Sequence, residues 1–178
     1  MNDWRTFFRI SPAFDRGVLH VRPRGRSGGG KVLRFVQESG RKRADVLSTS
    51  SAGMLISPRV AAVLEGRSGF APVAARIVLR DGAVDESYVA LDVAGRSGPV
   101  DRALSEPTTL PAMTPAGQPS PGLRGLRFDP STWDGSEVFR PAETELTFVT
   151  APVAEALVAA GLSNLLVEPI DEIQFADV

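Results

Sequence analysis

The sequence predicts a single α+β domain over residues 1–178, with a mostly antiparallel sheet, two short helices and long irregular loops. Its 178 residues are enough for one full-sized hydrophobic core and few for two. Apolar residues make up 43% and charged residues 23%, the ordinary range for a folded globular protein. Several short apolar segments bounded by turn residues indicate strands, and two segments carry the start and stop signals of helices.

The first 53 residues are predicted to contain a hairpin. Residues 17–21 and 31–36 are short apolar segments typical of strands. Residues 22–30 between them are rich in arginine and glycine and have nothing to bury, which predicts a loop. Residues 40–43 predict a turn, and the serine-rich residues 48–51 predict another loop.

The clearest local signal is a short helix that follows the apolar residues 54–56. Ser57 is a favoured N-cap, and Pro58 suits the first helical position. Gly66 can end the helix in a left-handed conformation. We therefore expect a helix over residues 59–65.

An antiparallel strand pair and a long surface connection are expected next. Residues 74–79 and 87–93 have the composition of strands, and a turn at Asp81-Gly82 lies between them. Residues 95–122 are filled with proline, glycine, serine and threonine, which predicts an irregular, partly mobile connection.

The remaining strands and the second helix are predicted from the same kinds of sequence signal. Strands are predicted at residues 123–128, 137–140 and 144–149, and an extended apolar segment at residues 165–170 leads into an acidic tail. Thr150 is expected to cap a second helix over residues 152–160, which Gly161 ends.

Charge is unevenly distributed along the chain. Residues 1–43 contain eleven basic and three acidic residues, whereas the rest contains nine basic and eighteen acidic residues. The acidic majority argues against a general nucleic-acid binder and suits a basic partner. The plain alternative is that the two charge sets meet within one fold or are simply solvated. The absence of cysteine and of a signal-like apolar run predicts a cytoplasmic protein with no membrane segment.

One segment matches the spacing of a phosphate-binding loop. Gly25, Gly30 and Lys31 fit the pattern GxxxxGK, which also requires a following hydroxyl for magnesium and a following helix. Val32 occupies the hydroxyl position, and residues 32–36 have the pattern of a strand. A glycine-rich hairpin loop is therefore the better interpretation.

His20 is the only histidine, and it lies in a predicted strand. A zinc site would have to use mostly carboxylates, which is unusual. Counting residues leaves a Ser–His–Asp triad open, but no serine lies in a GxSxG elbow. We interpret His20 as a structural residue and expect no catalytic residue, metal site or cofactor.

Carboxylates are plentiful, and paired carboxylates can perform hydrolysis if burial separates their pKa values. The candidates are Asp81, Asp85, Glu86, Asp129, Asp134, Glu137, Glu143 and Glu145. Their positions in turns and at strand ends favour solvation. Trp133 lies beside Asp134, where it would either anchor an interface or fold back onto the sheet.

Three motifs follow one another after residue 54: residues 55–64 have the pattern L-I-S-x-x-x-A-x-x-L, residues 88–93 the pattern Y-x-x-L-x-V, and residues 138–169 form a closing block of a strand pair, a short helix and an apolar segment. Their order resembles an immunity-protein family of bacterial polymorphic toxin systems, immunity family eleven, formerly a domain of unknown function. Asn164 replaces the usual glycine and Val167 the usual aromatic residue, and residues 1–53 lie outside the resemblance.

The resemblance implies that the chain binds and blocks a cognate toxin made by the same cell. Acidic groups would steer the toxin and aromatic side chains would hold it. On that basis the expected contact residues are Asp129, Trp133, Asp134 and Glu137. Two alternatives remain open: a small hydrolase that uses paired carboxylates, and a nucleic-acid contact through the basic clusters at residues 22–31 and 41–43.

Overall fold

The described residues fold into three sheets and two short helices, which confirms the predicted α+β class. A computed structural model describes residues 6–27, 32–51, 53–112, 114 and 116–176, with only the backbone of Arg26 and Ser27. The elements, in chain order, are β1 (Phe7–Pro12), β2 (His20–Ser27), β3 (Val32–Ser39), β4 (Val46–Thr49), β5 (Met54–Ile56), α1 (Pro58–Leu64), β6 (Phe70–Val78), β7 (Val84–Asp85), β8 (Val89–Val93), β9 (Gly95–Ser97), β10 (Glu106–Leu110), β11 (Ser120–Arg124), β12 (Val138–Pro141), β13 (Thr147–Thr150), α2 (Ala151–Ala159), β14 (Leu165–Pro169) and β15 (Gln174–Ala176).

Six strands of the largest sheet close into a small barrel. Its order is β3-β2-β4-β5-β8-β6, with β7 added beside β6, and a further pairing between β3 and β6 completes the ring. The pairs β2–β4 and β3–β6 are parallel, and the other pairings in this sheet are antiparallel. Alternate side chains, among them Phe35, Leu47, Leu55 and Ile77, fill the barrel as one buried cluster.

The second sheet packs against the outside of the barrel. Its order is β14-β1-β13-β12-β9, and the parallel pair β9–β12 is its exception to antiparallel pairing. Both helices lie in the layer between sheet and barrel, where Val60 of α1 and Leu157 of α2 are buried. The same core contains Ile10 of β1, Ile56 of β5 and Val149 of β13. Residues before and after position 53 therefore share one hydrophobic core.

The other face of this second sheet carries an aromatic cluster. Phe128, Phe139 and Phe148 are fully buried there, and Phe7 contacts Phe128 and Phe139 at ring-centroid distances of 5.3 and 5.5 Å. Most of these contacts are tilted or edge-to-face, the arrangement that aromatic quadrupoles favour. The small sheet β10-β11-β15 adds Phe175 to the cluster.

Both predicted helices are confirmed, with one difference in capping. The Ser57 hydroxyl accepts a bond from the Val60 amide, Pro58 is the first helical residue, and Gly66 follows with φ 75°. Thr150 occupies the N-cap position of α2, but its side chain makes no capping bond. Its Oγ1 is buried without a hydrogen-bond partner, at the point where the residue also pairs with Phe7 as the end of β13.

Three predictions of irregular structure are wrong. Residues 22–27 continue β2, because a bulge between Pro23 and Arg26, with Gly25 at φ 98°, lets the hairpin with β3 extend. Ser48 and Thr49 belong to β4. Residues 95–122 contain β9, β10 and the start of β11, although their composition is that of a loop. Residues 28–31 of the predicted loop and hairpin lie outside the described residues.

The predicted strand at residues 123–128 is shifted. The observed strand β11 spans Ser120–Arg124, and Gly125 with φ 93° ends it. A residue other than glycine would be strained at that backbone angle, so the chain turns there before the buried Phe128. The strands predicted at residues 137–140, 144–149 and 165–170 correspond to β12, β13 and β14.

One buried carboxylate connects the barrel, α1 and the α2–β14 turn. Asp45, 7% exposed, accepts bonds from the Ser57 hydroxyl at 2.9 Å and from Arg59 Nη1 at 2.9 Å. Its Oδ2 also accepts from the backbone N and the hydroxyl of Ser163 at 2.8 and 2.9 Å. Burial opposes ionisation of Asp45, but the bonds from Ser163, Ser57 and Arg59 outweigh it, so its pKa is lowered.

We expect Asp45→Asn to lower the free energy of unfolding at neutral pH by about 1–3 kcal/mol, because donors that it satisfies stay buried. Since the folded pKa is below the unfolded one, the contribution of the carboxylate is present above the ordinary aspartate pKa of about 4 and is lost as the pH falls through that region. Urea unfolding followed by circular dichroism at neutral pH and at about pH 3 measures both effects.

The matched control is Asp92→Asn, at an exposed position on β8. It should change the free energy of unfolding by less than about 0.5 kcal/mol at either pH. An Asp45→Asn variant that loses stability equally at both pH values would contradict the assigned role of the charge.

Candidate functional site

The four predicted contact residues lie in one loop between β11 and β12, which we call the acidic loop (residues 129–137). Asp129 opens it by capping a single 3-10 turn, Pro130–Thr132, with its Oδ1 accepting from the Ser131 amide at 2.9 Å. The preceding residue, Phe128, is fully buried in the aromatic cluster. The loop therefore starts from a fixed point in the core.

Trp133 folds back onto the sheet and is half-buried. Its ring lies edge-on to Phe7 at 5.1 Å and tilted against Phe139 at 5.6 Å. Its Nε1 donates to the carbonyl of Ser136 at 3.0 Å, so the indole N–H is satisfied within the loop. The ring serves mainly as an anchor for the loop, and its uncovered part remains for a partner.

The carboxylate of Asp134 holds the loop closed. Its Oδ1 accepts from the Ser136 amide at 2.9 Å, and its Oδ2 accepts from the Arg96 amide of β9 at 2.8 Å. Gly135 between them has φ 84°, a conformation that favours glycine. The tip is therefore fixed by backbone bonds to a carboxylate that stays exposed.

Glu137 ties the end of the loop to the connection that follows α1. Its Oε1 accepts from Arg67 Nη1 at 2.8 Å, and its Oε2 accepts from the Ser68 amide at 3.1 Å. In return, the amide of Glu137 donates to the Ser68 hydroxyl at 2.9 Å. This pair of reciprocal contacts fixes the position at which β12 begins.

All three carboxylates of the acidic loop have lowered pKa values. For Asp129 the cause is the hydrogen bonds from Ser131. For Asp134 partial desolvation opposes the shift, but bonds from the Ser136 and Arg96 amides outweigh it. For Glu137 the Ser68 amide and Arg67 lower the value. The loop thus presents ionised carboxylates at neutral pH.

The structure also shows a polar row that sequence reasoning missed. On the outer wall of the barrel, His20 Nδ1 lies 2.7 Å from Ser48 Oγ, and His20 Nε2 lies 3.4 Å from Glu38 Oε2. The three residues come from β2, β4 and β3, and the register pairs His20 with Ser48 across parallel strands. These two strands are separated in the chain by β3, so no local pattern reveals their pairing.

This row has the order of a serine–histidine–acid triad but differs from one in two respects. In a working triad the carboxylate orients Nδ1 and the serine faces Nε2, whereas here the ring nitrogens are reversed. Ser48 is 6% exposed and lies within β4, paired with His20 on one side and Met54 on the other. We interpret the row as structural: its contacts hold β2, β3 and β4 together, and we call it the cross-strand clamp.

Several carboxylates proposed for a hydrolase are bound by hydrogen-bond donors or arginines in the structure. Asp85 is buried, and bonds from Ser87 together with Arg43 outweigh desolvation and lower its pKa. Asp81 binds the Ala83 amide, and Glu145 pairs with Arg140 at 3.0 Å. Every described carboxylate with a shifted pKa is shifted downward, opposite to the shift that makes a general acid.

The basic residues predicted as an alternative nucleic-acid contact are partly placed. Arg22 and Arg24 on β2 are exposed, and within the described ranges neither forms an ion pair. In the second cluster, residues 41–43 are exposed, and Arg43 pairs with Asp85. Residues 28–31, which complete the phosphate-loop pattern, are not among the described residues. Val32 starts a strand, so the helix that such a loop requires does not follow it.

Comparison with protein-family models and with curated proteins finds no match to this chain. Among the described residues, no group of three or more histidine, aspartate or glutamate side chains is placed to hold a metal ion. Neither helix of the described ranges has the length and apolar character needed to cross a bilayer.

The anchoring role of Trp133 can be tested by truncation. We expect Trp133→Ala to lower the free energy of unfolding by about 2–3 kcal/mol, since it removes half-buried ring contacts. Trp133→Phe should lose about 1 kcal/mol, because the ring is kept and the bond to Ser136 is lost. Urea unfolding by circular dichroism is the measurement, with the exposed Val158→Ala as a control expected within about 0.5 kcal/mol. Equal stability of all three variants would contradict the anchoring role.

If Ser48 only helps to hold the strands together, its hydroxyl should not react as a nucleophile. A fluorophosphonate probe should fail to label the folded protein, because Ser48 is 6% exposed and faces Nδ1 of His20, the reverse of the arrangement that activates a triad serine. Intact-protein mass spectrometry detects the adduct directly. Labelling that is lost in Ser48→Ala and in His20→Gln, but retained in the exposed Ser131→Ala, would support a nucleophile instead.

Proposed function

We propose that this chain is an immunity protein that binds and neutralises a cognate bacterial toxin in the cytoplasm of the cell that makes both. Two features support the proposal. The motifs at residues 55–64, 88–93 and 138–169 resemble those of immunity family eleven. The acidic loop presents a fixed, ionised surface of the kind that a basic partner requires.

The observation that carries the proposal is the rigidity of the acidic loop. Asp129, Asp134 and Glu137 each bind backbone amides of the loop or of a neighbouring segment, and Trp133 is packed on the core. A surface held in one conformation loses little conformational entropy on binding, so more of its interaction energy appears as affinity. Each carboxylate also has acceptor capacity left over for a partner.

In this proposal the chain inhibits the toxin by covering the toxin's active surface. The ionised loop speeds the encounter with a basic toxin surface, and the uncovered part of Trp133 contacts it once docked. Charges at the rim of an interface act mainly on the association rate, whereas buried anchors act on dissociation. No residue of the chain has to perform chemistry.

The first experiment is co-purification of the tagged chain from its native cells, followed by identification of the bound protein. We expect a stoichiometric partner that arrests growth when expressed alone and is harmless when co-expressed with this chain. Recovery of the chain alone would contradict the proposal. Recovery with nucleic acid, in a strongly salt-dependent manner, would favour the basic wall of the barrel.

The second experiment separates the charge of the loop from its structure. Asp129→Asn keeps an N-cap, because asparagine caps as well as aspartate, but removes the charge. We expect the association rate with the partner to fall about two- to fivefold at low salt, with less change at high salt.

Glu155→Gln removes the same charge from the exposed face of α2 and serves as the control. It should leave the association rate unchanged in surface plasmon resonance. Equal effects of Asp129→Asn and Glu155→Gln would show that net charge alone matters and would remove the acidic loop from the interface.

A further inference from the structure

A second surface of interest is a cleft at one end of the barrel. It lies between the connection from β3 to β4 and the turn that joins β6 to β7, and its volume is about 470 Å³. This is the size range of pockets that hold small ligands or inserted side chains. The acidic loop takes no part in its lining.

Three arginines line the cleft, and their environments differ. Arg43 Nε lies 3.0 Å from the buried carboxylate of Asp85, which fixes the side chain. Arg80 donates through Nη2 to the carbonyl of Glu38, and its backbone N donates to Gln37 Oε1 at 3.0 Å. Arg41 is exposed and forms no ion pair within the described ranges. A guanidinium has five N–H donors, so each of these arginines keeps donors for a ligand.

The charge of the cleft is unbalanced. Among the described residues that line it, Asp81 is the one acidic residue, and its Oδ1 already accepts from the Ala83 amide at 2.9 Å. Because Arg43 is paired with Asp85 outside this lining, Arg41 and Arg80 are left against the single carboxylate of Asp81, and the cleft keeps a net positive charge. Guanidinium groups bind carboxylates and phosphates through paired, charge-assisted hydrogen bonds, and such bonds are stronger than neutral ones.

The floor of the cleft is apolar. Leu19 is 1% exposed and belongs to the barrel core, and Leu79 packs against the same cluster. A ligand that matched both parts would carry an oxyanion toward the arginines and a small apolar group toward the leucines.

We propose that the barrel-end cleft is a binding site for an oxyanion, carboxylate or phosphate, attached to a small apolar group. The ligand is either a free small molecule or an acidic side chain that a partner protein inserts next to an apolar residue. The site is distinct from the acidic loop and has the opposite charge. It therefore does not depend on the toxin proposal.

The test is a titration of the isotopically labelled full chain by two-dimensional NMR. The probes are inorganic phosphate, phenyl phosphate, and a capped dipeptide of aspartate and leucine. We expect saturable shifts of the amide signals of residues 37–43 and 79–83, with phenyl phosphate binding at least severalfold more tightly than inorganic phosphate because of the leucine floor. Tighter binding of the dipeptide than of phenyl phosphate would identify a protein side chain as the source, and the reverse order a small molecule.

Matched variants decide whether the arginines of the cleft bind the phosphate group. Arg41→Gln should raise the dissociation constant for phenyl phosphate about tenfold, whereas Arg22→Gln, which removes an equal charge from the outer wall of the barrel, should change it less than twofold. Absence of saturable shifts at tens of millimolar probe would overturn the proposal. Equal effects of the two variants would overturn it as well, since they would show general attraction to a basic surface.

Discussion

The buried carboxylate of Asp45 is the contact on which the arrangement of the molecule depends most. It lies just before β4 of the barrel and binds the cap of α1, an arginine in the first turn of α1, and Ser163 in the turn before β14. Arg59, held by Asp45, also donates to the carbonyl of Ala160 at the end of α2. One side chain thus aligns both helices with the barrel.

The turn before β14, which Asp45 binds through Ser163, is also fixed by the next residue, Asn164. Asn164 donates from Nδ2 to the carbonyl of Val46 at 2.7 Å and accepts from the amide of Asp15 at 2.9 Å. Its φ is 57°, in the left-handed region that favours glycine. Asparagine is among the residues that adopt this conformation at least cost, and its side chain adds two bonds that glycine lacks.

Local chemistry made much of the fold predictable. The start signal Ser57-Pro58 and the stop signal Gly66 predicted α1. Thr150 and Gly161 predicted α2 in the same way. The strands that were missed lie in residues 95–122, where proline argues against strands. Pro107 nevertheless pairs in β10, which is an edge strand of the described three-stranded sheet, where a proline without an N–H is tolerated. Pro121 lies in the central strand β11, but before the residues that pair with β15.

Long-range register was not predictable, and it determines the candidate sites. The closing pair of the barrel joins Leu33–Val36 to Ala75–Val78, and no pattern in either segment specifies the other. The cleft around Arg41 depends on that closure, because its lining comes from β3 and from residues that follow β6. The polar row around His20 depends on the parallel pair β2–β4. The acidic loop was predictable as a cluster of carboxylates because its residues are adjacent in sequence, but the backbone bonds that hold them were not.

The strand order also determines which strands can pair first while the chain is being synthesised. All six strands of the barrel lie between residues 20 and 93, so they emerge from the ribosome together and can pair while translation continues. β1 must wait, because its partners β13 and β14 lie near residues 147–150 and 165–169. Until those strands are made, Phe7, Phe8 and Ile10 have no sheet to enter. Between the synthesis of β1 and that of β13, the nascent chain therefore carries an unpaired apolar strand that a chaperone could protect.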